Sequence, residues 1–300
     1  MKLRSKVVEI STQKCVLGEN PLWCAAESAL YWIDVIGLAV LRWDMASQVT
    51  RRFTLPKPPA SIFINETGSL LVAMRGSLAF MDTTSGDLSA LPLVLPPSTN
   101  ERFNDGRCDH RGHIWISTMD RALKSNIGSL VRVDSRLNTA VSPTHAILGN
   151  GVCFSPENDS LYFSDTFERT LYRYELSAGD TTSGDRLGKR HVFARLDGDA
   201  GRPDGCTVDG EGCLWSARVG GGRIDRYSPD GRLVDVLELP VSHPTHCTFG
   251  GPDLKTLFVT SSRYPPDKPA FANEAAAGAL LAYQVDAQGL PEHRFIPKHD

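Results

Sequence analysis

A strand–turn–strand unit recurs six times along the 300 residues of this chain, and this repetition constrains the possible folds more than any other feature. Its clearest copy, at residues 201–218 (GRPDGCTVDGEGCLWSAR), has a polar opening, a short apolar strand, a Gly-rich turn and a second apolar strand. In the six copies the second strand begins at Leu30, Leu70, Ile114, Leu161, Leu214 and Leu257. Successive spacings of 40, 44, 47, 53 and 43 residues are typical of the blades of a β-propeller.

Each copy continues into a third apolar strand, for example residues 171–174 and 224–227, and turns rich in Gly, Asp and Ser separate the strands. We therefore predict an all-β fold, a six-bladed β-propeller with four-stranded blades around a central channel, in which residues 1–300 form a single domain. A strand predicted within residues 4–12 precedes the first copy, so it is expected to pair with the last blade and close the ring. The single helix candidate is the Ala-rich segment 270–281.

The residue that opens each copy lies 10 or 11 positions before the second strand. In a propeller the innermost strands surround the channel, so equivalent positions of the six blades converge. These opening residues are Glu19, Ala60, Asn104, Asn150, Asp204 and His246. Five of the six carry oxygen or nitrogen, which a purely structural repeat would not require. The sequence thus predicts two carboxylates, two carboxamides and an imidazole at one mouth of the channel. Ala60 is expected to contribute only to the channel wall.

Carboxylate and carboxamide oxygens without thiolates form a hard-oxygen site, which suits Ca²⁺, Mg²⁺ or Mn²⁺ and also admits Fe²⁺ or Zn²⁺. Only three or four protein ligands are available, so water or substrate would complete the coordination shell. A divalent ion there could polarise a carbonyl, and Asp204 is placed to take a proton from an attacking water. The chain has neither a G-x-S-x-G elbow nor a Gly-rich phosphate loop. The repeats alone leave open a propeller that only binds Ca²⁺ or proteins.

Three polar residues near the opening positions each have two interpretations. Arg102 lies two residues before Asn104, on the same side of an extended strand, where it suits a polyhydroxylated or carboxylate-bearing ligand; a surface ion pair is the alternative. Asp105 is interpreted as a turn residue and not as part of the chemistry. For His246, a hydrogen-bonded position in the channel wall is favoured over a role as metal ligand or acid–base group.

Composition excludes several other classes of protein. A net charge of −3, with a pI near 6.2, gives no basis for nucleic-acid binding. No apolar run reaches transmembrane length, the N-terminus lacks the apolar core of a signal peptide, and the seven Cys include no CxxC pair. We expect a cytoplasmic monomer or weak homo-oligomer with reduced thiols, without nucleic-acid or membrane partners. The polar loops 119–128 and 263–273 are predicted to cover or border the site.

Several linked motifs resemble the SMP-30/gluconolactonase/LRE family of regucalcin-like sugar lactonases, and they run from the first blade to the last in that family's order. They are GENPLW (18–23), RFNDGR (102–107), STMD (117–120), NG (150–151) with SP (155–156), PDG (203–205), GGGR (220–223) and FGG (249–251). Together they are specific, although any one of them alone would be weak.

The resemblance implies a six-bladed propeller that binds one divalent metal ion and hydrolyses a sugar lactone, a small molecule, to the aldonic acid. By matching position it implies Glu19, Asn150 and Asp204 as metal ligands and Asp204 also as the general base. Arg102 and Asn104 would hold the hydroxyl groups of the substrate. This agrees with the argument from the opening residues.

Two departures from the family pattern concern the pocket. Asn20 stands where the family usually has Gly, which we expect to alter only a turn, and His246 replaces a small polar residue, which bears on substrate choice. The resulting hypothesis is a metal-dependent lactonase for a five- or six-membered aldono-lactone. Two alternatives remain: a promiscuous esterase or phosphotriesterase using the same site, and a non-catalytic propeller that binds Ca²⁺ or proteins.

Overall fold

The computed structural model of the chain describes residues 7–11, 13–91, 100–177, 186–196, 198, 201–265 and 273–297. These residues form twenty-four β-strands, labelled β1–β24 in chain order, and no α-helix occurs among them. The strands form six antiparallel sheets of four strands each, which confirms the predicted six-bladed β-propeller. In this described part of the chain, no helix is long and apolar enough to cross a membrane.

The first three blades follow one another along the chain, and each begins with its innermost strand. Blade 1 contains β2 (Gly18–Cys24), β3 (Ala29–Asp34), β4 (Ala39–Asp44) and β5 (Thr50–Thr54). Blade 2 contains β6 (Pro59–Ile64), β7 (Leu70–Met74), β8 (Ser77–Met81) and β9 (Leu88–Ala90). Blade 3 contains β10 (Glu101–Cys108), β11 (Ile114–Asp120), β12 (Gly128–Val133) and β13 (Thr139–Ala146).

The last three blades have the same order, except that the final blade borrows its outer strand from the N-terminus. Blade 4 contains β14 (Gly149–Phe154), β15 (Ser160–Asp165), β16 (Thr170–Ser177) and β17 (Arg186–Arg195). Blade 5 contains β18 (Arg202–Val208), β19 (Leu214–Val219), β20 (Arg223–Tyr227) and β21 (Leu233–Glu238). Blade 6 contains β22 (Pro244–Gly250), β23 (Thr256–Ser261), β24 (Leu281–Gln284) and β1 (Val7–Glu9).

The N-terminal strand closes the ring, as the sequence predicts. β1 pairs with β24, with Glu9 opposite Leu281. The prediction of a helix at 270–281 is wrong for the residues that the structure describes; residues 270–272 lie outside them. The remainder forms turns and then enters β24 at Leu281, because Leu281 also pairs with Val259 of β23 and completes the last sheet. β1 thereby covers the outer edge of β24.

Apolar side chains between neighbouring sheets hold the blades together. All residues of the innermost strands β6, β14 and β22 are buried. Between blades 1 and 2, Ile33 packs in one cluster with Ile62, and between blades 2 and 3, Phe63 packs in another cluster with Phe103. These clusters hold the inner strands in place through apolar packing, so the channel-facing side of each strand can carry polar groups.

A β-bulge interrupts the pairing of every innermost strand with its neighbour at the opening residue or beside it. The register shifts occur at residues 19–22, 59–61, 103–106, 150–153, 203–206 and 244–246. A bulge adds a residue to one strand and changes the direction of the side chains around it. Six equivalent bulges therefore explain how polar side chains from an otherwise apolar strand reach the channel.

Candidate active site

Two of the opening residues form a direct contact between blades 3 and 4. Asn104 Nδ2 donates hydrogen bonds to Asn150 Oδ1 at 2.5 Å and to the Gly149 carbonyl at 2.9 Å. Asn150 Nδ2 in turn donates to Thr166 Oγ1 at 2.9 Å. Both amide hydrogens of Asn104 are thus used within the protein. Its side-chain oxygen accepts one hydrogen bond, from Arg102 at 3.3 Å, and has a second lone pair for a ligand.

The two carboxyl groups among the opening residues, Glu19 and Asp204, both have raised pKa values. Burial raises the pKa of Asp204 well above its ordinary value, and the negative charges of Glu19 and Asp105 raise it further. Burial, followed by the charge of Asp105, raises the pKa of Glu19 to about 8, although a hydrogen bond from the Asn20 amide and the charge of Arg102 oppose the shift. Glu19 is half-buried. Ionising both carboxyl groups is therefore costly unless a cation lies between them.

One oxygen of these two carboxyl groups lacks a hydrogen-bond partner among the described residues. Asp204 Oδ1 is buried and receives no hydrogen bond from the described residues. A buried carboxylate oxygen without a donor is costly, and a second carboxylate nearby increases the cost. Glu19, Asn150 and Asp204 offer oxygen atoms of the kind that hard divalent cations bind. The donors present therefore fit a divalent cation with these three residues as its ligands.

Asp105, which the sequence suggested was a turn residue, lies instead within β10 at the centre of the polar cluster. Asp105 Oδ1 accepts hydrogen bonds from Asn20 Nδ2 at 3.0 Å and from the Gly106 amide at 2.8 Å. Asp105 Oδ2 accepts from the Val152 amide at 3.0 Å, and His246 Nε2 lies 3.3 Å from Oδ1. One side chain therefore connects blades 1, 3, 4 and 6.

These contacts determine the charge of Asp105. Burial alone would raise the pKa of the Asp105 carboxyl, but the adjacent His246 and the hydrogen bonds outweigh burial, and the pKa is lowered. Asp105 thus stays ionised while it raises the pKa values of Glu19 and Asp204. The sequence signal was its place next to Asn104 in the RFNDGR motif, but alternation along a strand directs neighbouring side chains to opposite sides.

His246 is fully buried in the channel wall, the position that the sequence analysis favoured. Its Nδ1 lies 3.0 Å from the Cys247 carbonyl, and its Nε2 faces Asp105. The ring packs against Gly205, where an added Cβ would lie only 2.0 Å from His246 Cδ2. The Pro-Asp-Gly sequence at 203–205 therefore needs glycine for packing, next to the carboxylate of Asp204.

Asn20 does more than the turn adjustment expected from the sequence. Its backbone φ of 46° lies in the left-handed region, which Asn tolerates and Gly favours. Its side chain accepts a hydrogen bond from the Ile62 amide at 2.8 Å and donates to Asp105. Asn20 therefore adds contacts to blades 2 and 3 that a glycine could not make.

A cavity of about 260 Å³ adjoins the opening residues on the side of blades 1 to 3. It is lined by Val35, Ile36, Pro58, Pro59, Ala60, Arg75, Arg102, Phe103 and Arg121. Arg102 connects it to the polar cluster, since its guanidinium donates to Asn104 Oδ1 at 3.3 Å and to the Phe103 carbonyl at 3.0 Å. Ala60 is part of the wall, as expected. Arg121 belongs to the loop 119–128, which therefore borders the cavity. Of the second predicted loop, 263–273, residues 266–272 lie outside the described residues.

Another group of possible metal ligands lies at the turn between β18 and β19. Single atoms of Asp209, Glu211 and Cys213 all lie within 4.8 Å of one another. However, Arg226 donates to Asp209 Oδ2 at 2.7 Å and to Glu211 Oε2 at 2.6 Å, and Trp215 Nε1 donates to Asp209 Oδ2 at 2.8 Å. The guanidinium of Arg226 already neutralises these carboxylates, so this cluster stabilises the turn.

The chain is similar to known proteins along nearly all of its length. Residues 17–263 match the family model of the SMP-30/gluconolactonase/LRE-like region. A 6-deoxy-6-sulfogluconolactonase from Pseudomonas putida is 37% identical over 284 residues, which cover 94% of this chain and 96% of that protein. A pentonolactonase from Haloferax volcanii is 33% identical over 293 residues, covering 96% and 97%. The crystal structure of a calcium-binding protein, regucalcin, from Agrobacterium tumefaciens matches with a TM-score of 0.88 and 29% identity, covering 95% and 96%.

Proposed function

The chain belongs to the SMP-30/gluconolactonase/LRE-like family, and from this premise we propose that it uses a divalent metal ion to hydrolyse a sugar lactone to the aldonic acid. It is a carboxylic-ester hydrolase, because a lactone is a cyclic ester and its relatives include proteins named for sulfogluconolactone and pentonolactone hydrolysis. The substrate that we propose is an aldono-lactone with a five- or six-membered ring.

The observation that carries the proposal is the buried, unpartnered Oδ1 of Asp204 beside the charge of Glu19. We propose that Glu19, Asn150 and Asp204 hold the ion, which would relieve the repulsion between the two carboxylates. When bound there, a divalent ion would polarise the lactone carbonyl and stabilise negative charge on its oxygen.

The protein's own groups supply proton transfer and orientation. Asp204 accepts a proton from the water whose oxygen attacks the carbonyl carbon. It returns this proton to the ring oxygen, which leaves as the new hydroxyl when its bond to the carbonyl carbon breaks. Asn104 keeps its side-chain oxygen towards the substrate, because both of its amide hydrogens are used by blade 4. Arg102, held against Asn104, donates its remaining N–H groups to the sugar.

The general-base role is tested with Asp204→Asn, which keeps the size of the side chain and cannot accept the proton. We expect kcat for lactone opening to fall by roughly 10²- to 10⁴-fold, the usual contribution of a positioned base. The matched control is Asp87→Asn, at an exposed carboxylate in the turn before β9.

Rates are measured with a pH indicator after subtraction of spontaneous opening, and circular dichroism verifies folding. A folded Asp204→Asn protein with near-native kcat would refute the role of Asp204. Turnover of aryl esters or organophosphates in preference to lactones would instead support an esterase or phosphotriesterase.

A further inference from the structure

We propose that the substrate carries an anionic oxygen group at the end of its carbon chain remote from the lactone carbonyl, bound by Arg75, Arg102 and Arg121 in the 260 Å³ cavity. The chemistry shared by the candidate groups is an oxyanion: phosphate, sulfonate or carboxylate. This inference rests on the proposed lactonase function and names the substrate class of that same site.

The composition of the cavity lining is unbalanced in a way that favours an anion. Three of its nine residues are arginines, and the other six are apolar. Arginine side chains only donate hydrogen bonds, and none of the nine side chains is an acceptor. A neutral sugar terminus, whose hydroxyl groups both donate and accept, would leave part of its hydrogen-bonding capacity unused. An oxyanion only accepts, and apolar walls strengthen its attraction to the guanidinium groups.

The three arginines come from separate segments of the chain. Arg75 follows β7 in blade 2, and its amide bonds to the Pro58 carbonyl at 3.1 Å. Arg102 lies in β10, and Arg121 follows β11, where its amide bonds to the Asn100 carbonyl at 2.9 Å. Three elements of two blades thus each bring an arginine to the same cavity. A single charged turn on a solvated surface would not have this arrangement.

The positive charges also influence one another. Burial lowers the pKa of Arg102; Glu19 opposes this shift, and the positive charge of Arg75 adds to it. Arg102 is half-buried, whereas Arg75 and Arg121 are exposed at the rim of the cavity. Like charges held near each other destabilise the free protein, and an anion that binds between them relieves the repulsion.

The acidic side chains next to these arginines in sequence are engaged elsewhere. Asp120, which precedes Arg121, accepts hydrogen bonds from the Lys124 amide at 2.8 Å and the Ser125 amide at 2.7 Å. Glu101, which precedes Arg102, accepts from Thr118 Oγ1 at 2.5 Å. Neither carboxylate lines the cavity.

Arg102 connects the anion cavity to the reacting end of the substrate. It lines the cavity and also donates to Asn104, which donates to Asn150. A ligand whose lactone carbonyl lies near Asn150 and Asp204 therefore extends past Asn104 and Arg102 towards Arg75 and Arg121. The anion and the lactone belong to one molecule, which points to a terminally charged aldono-lactone.

The test compares kcat/KM for neutral glucono-1,5-lactone with that for its 6-phospho, 6-deoxy-6-sulfo and 6-carboxylate counterparts. We expect at least one charged lactone to be preferred about tenfold or more, as for a charge-assisted contact. The ranking of the three charged lactones identifies the anion. Raising the ionic strength should increase KM for the charged lactone and leave KM for the neutral one unchanged.

The arginines are tested with Arg75→Gln and Arg121→Gln, and Arg51→Gln at an exposed position of β5 is the matched control. Each cavity variant should lower kcat/KM for the charged lactone about tenfold and change it less than about twofold for the neutral lactone. Inorganic phosphate or sulfate should inhibit the native enzyme competitively and inhibit both cavity variants more weakly.

Equal or better hydrolysis of the neutral lactone would overturn the anion inference and leave the lactonase proposal standing. An equal loss for charged and neutral lactones in the cavity variants would also overturn it. Absence of hydrolysis of every lactone by the folded, metal-supplied protein would instead refute the proposed function.

Discussion

Replacing the carboxylate of Glu19 by an amide should stabilise the metal-free protein at alkaline pH. Burial and the charge of Asp105 raise the pKa of Glu19 from 4.5 to about 8. A raised pKa means that the folded state favours the protonated form. Its contribution to stability is therefore complete below pH 4.5, falls between pH 4.5 and 8, and is lost above pH 8.

The size of the effect follows from the same shift. Each pKa unit corresponds to about 1.4 kcal/mol, so the ionised Glu19 costs the folded state at most roughly 5 kcal/mol above pH 8. Water in the channel screens part of this cost, and we expect Glu19→Gln to recover roughly 2–4 kcal/mol at pH 9. At about 2 °C per kcal/mol for a chain of this size, Tm should rise by about 4–8 °C.

The assay is thermal unfolding of chelator-treated protein at pH 5 and pH 9, followed by circular dichroism. Glu19→Gln should raise Tm at pH 9 and have little effect at pH 5, whereas the exposed control Glu66→Gln should have no pH-dependent effect. Adding a divalent ion should reverse the order at pH 9, because only the native protein keeps both carboxylates. If Glu19→Gln lowers Tm equally at both pH values without metal, the argument from charge repulsion is wrong.

Two further substitutions test the groups around the carboxylate pair. Asp105→Asn removes the charge facing His246 and replaces by an NH₂ group one of the two carboxylate oxygens, which accept from blade 1 and from blade 4 respectively. Urea unfolding should therefore show a loss of roughly 2–4 kcal/mol, together with a lower kcat/KM. Unchanged stability would contradict the connecting role. Arg102→Ala should raise KM by about 10- to 100-fold with a small change in kcat, since a positioning contact binds ground and transition states alike. Steady-state kinetics would contradict this if kcat fell and KM did not change.

The sequence was sufficient to predict the propeller and the convergence of its opening residues, because both depend on repetition. Spacings of 40 to 53 residues reveal six equivalent units, and equivalence alone directs equivalent positions to the channel. Alternation along a strand also places Arg102 and Asn104 on one side, and these two side chains are hydrogen-bonded at 3.3 Å.

The position of Asp105 in the channel was not predictable from alternation along a strand. A regular strand would direct Asn104 and Asp105 to opposite sides, but the bulge between Phe103 and Gly106 brings both to the channel. Asn20 likewise lies in a bulge, between Glu19 and Leu22. Bulges depend on pairing with a second strand, so a single sequence does not reveal them.

The arginine-lined cavity was beyond sequence reasoning for a different reason. Arg75 and Arg121 lie 46 residues apart in the chain, outside the repeated motif, and meet only because blades 2 and 3 stand side by side. Sequence patterns predict which residues share a repeat position, whereas a cavity between loops depends on how the loops pack.

The most direct test of the central claim is hydrolysis of a panel of pentono- and hexono-lactones, neutral and charged, by chelator-stripped protein to which single divalent metals are added back. We predict no turnover above the spontaneous rate without metal, and restored opening of one or a few lactones with a divalent ion. If the stripped protein, verified as metal-free and folded, opens lactones as fast as the metal-supplied protein, a metal site at Glu19, Asn150 and Asp204 is not the catalytic centre.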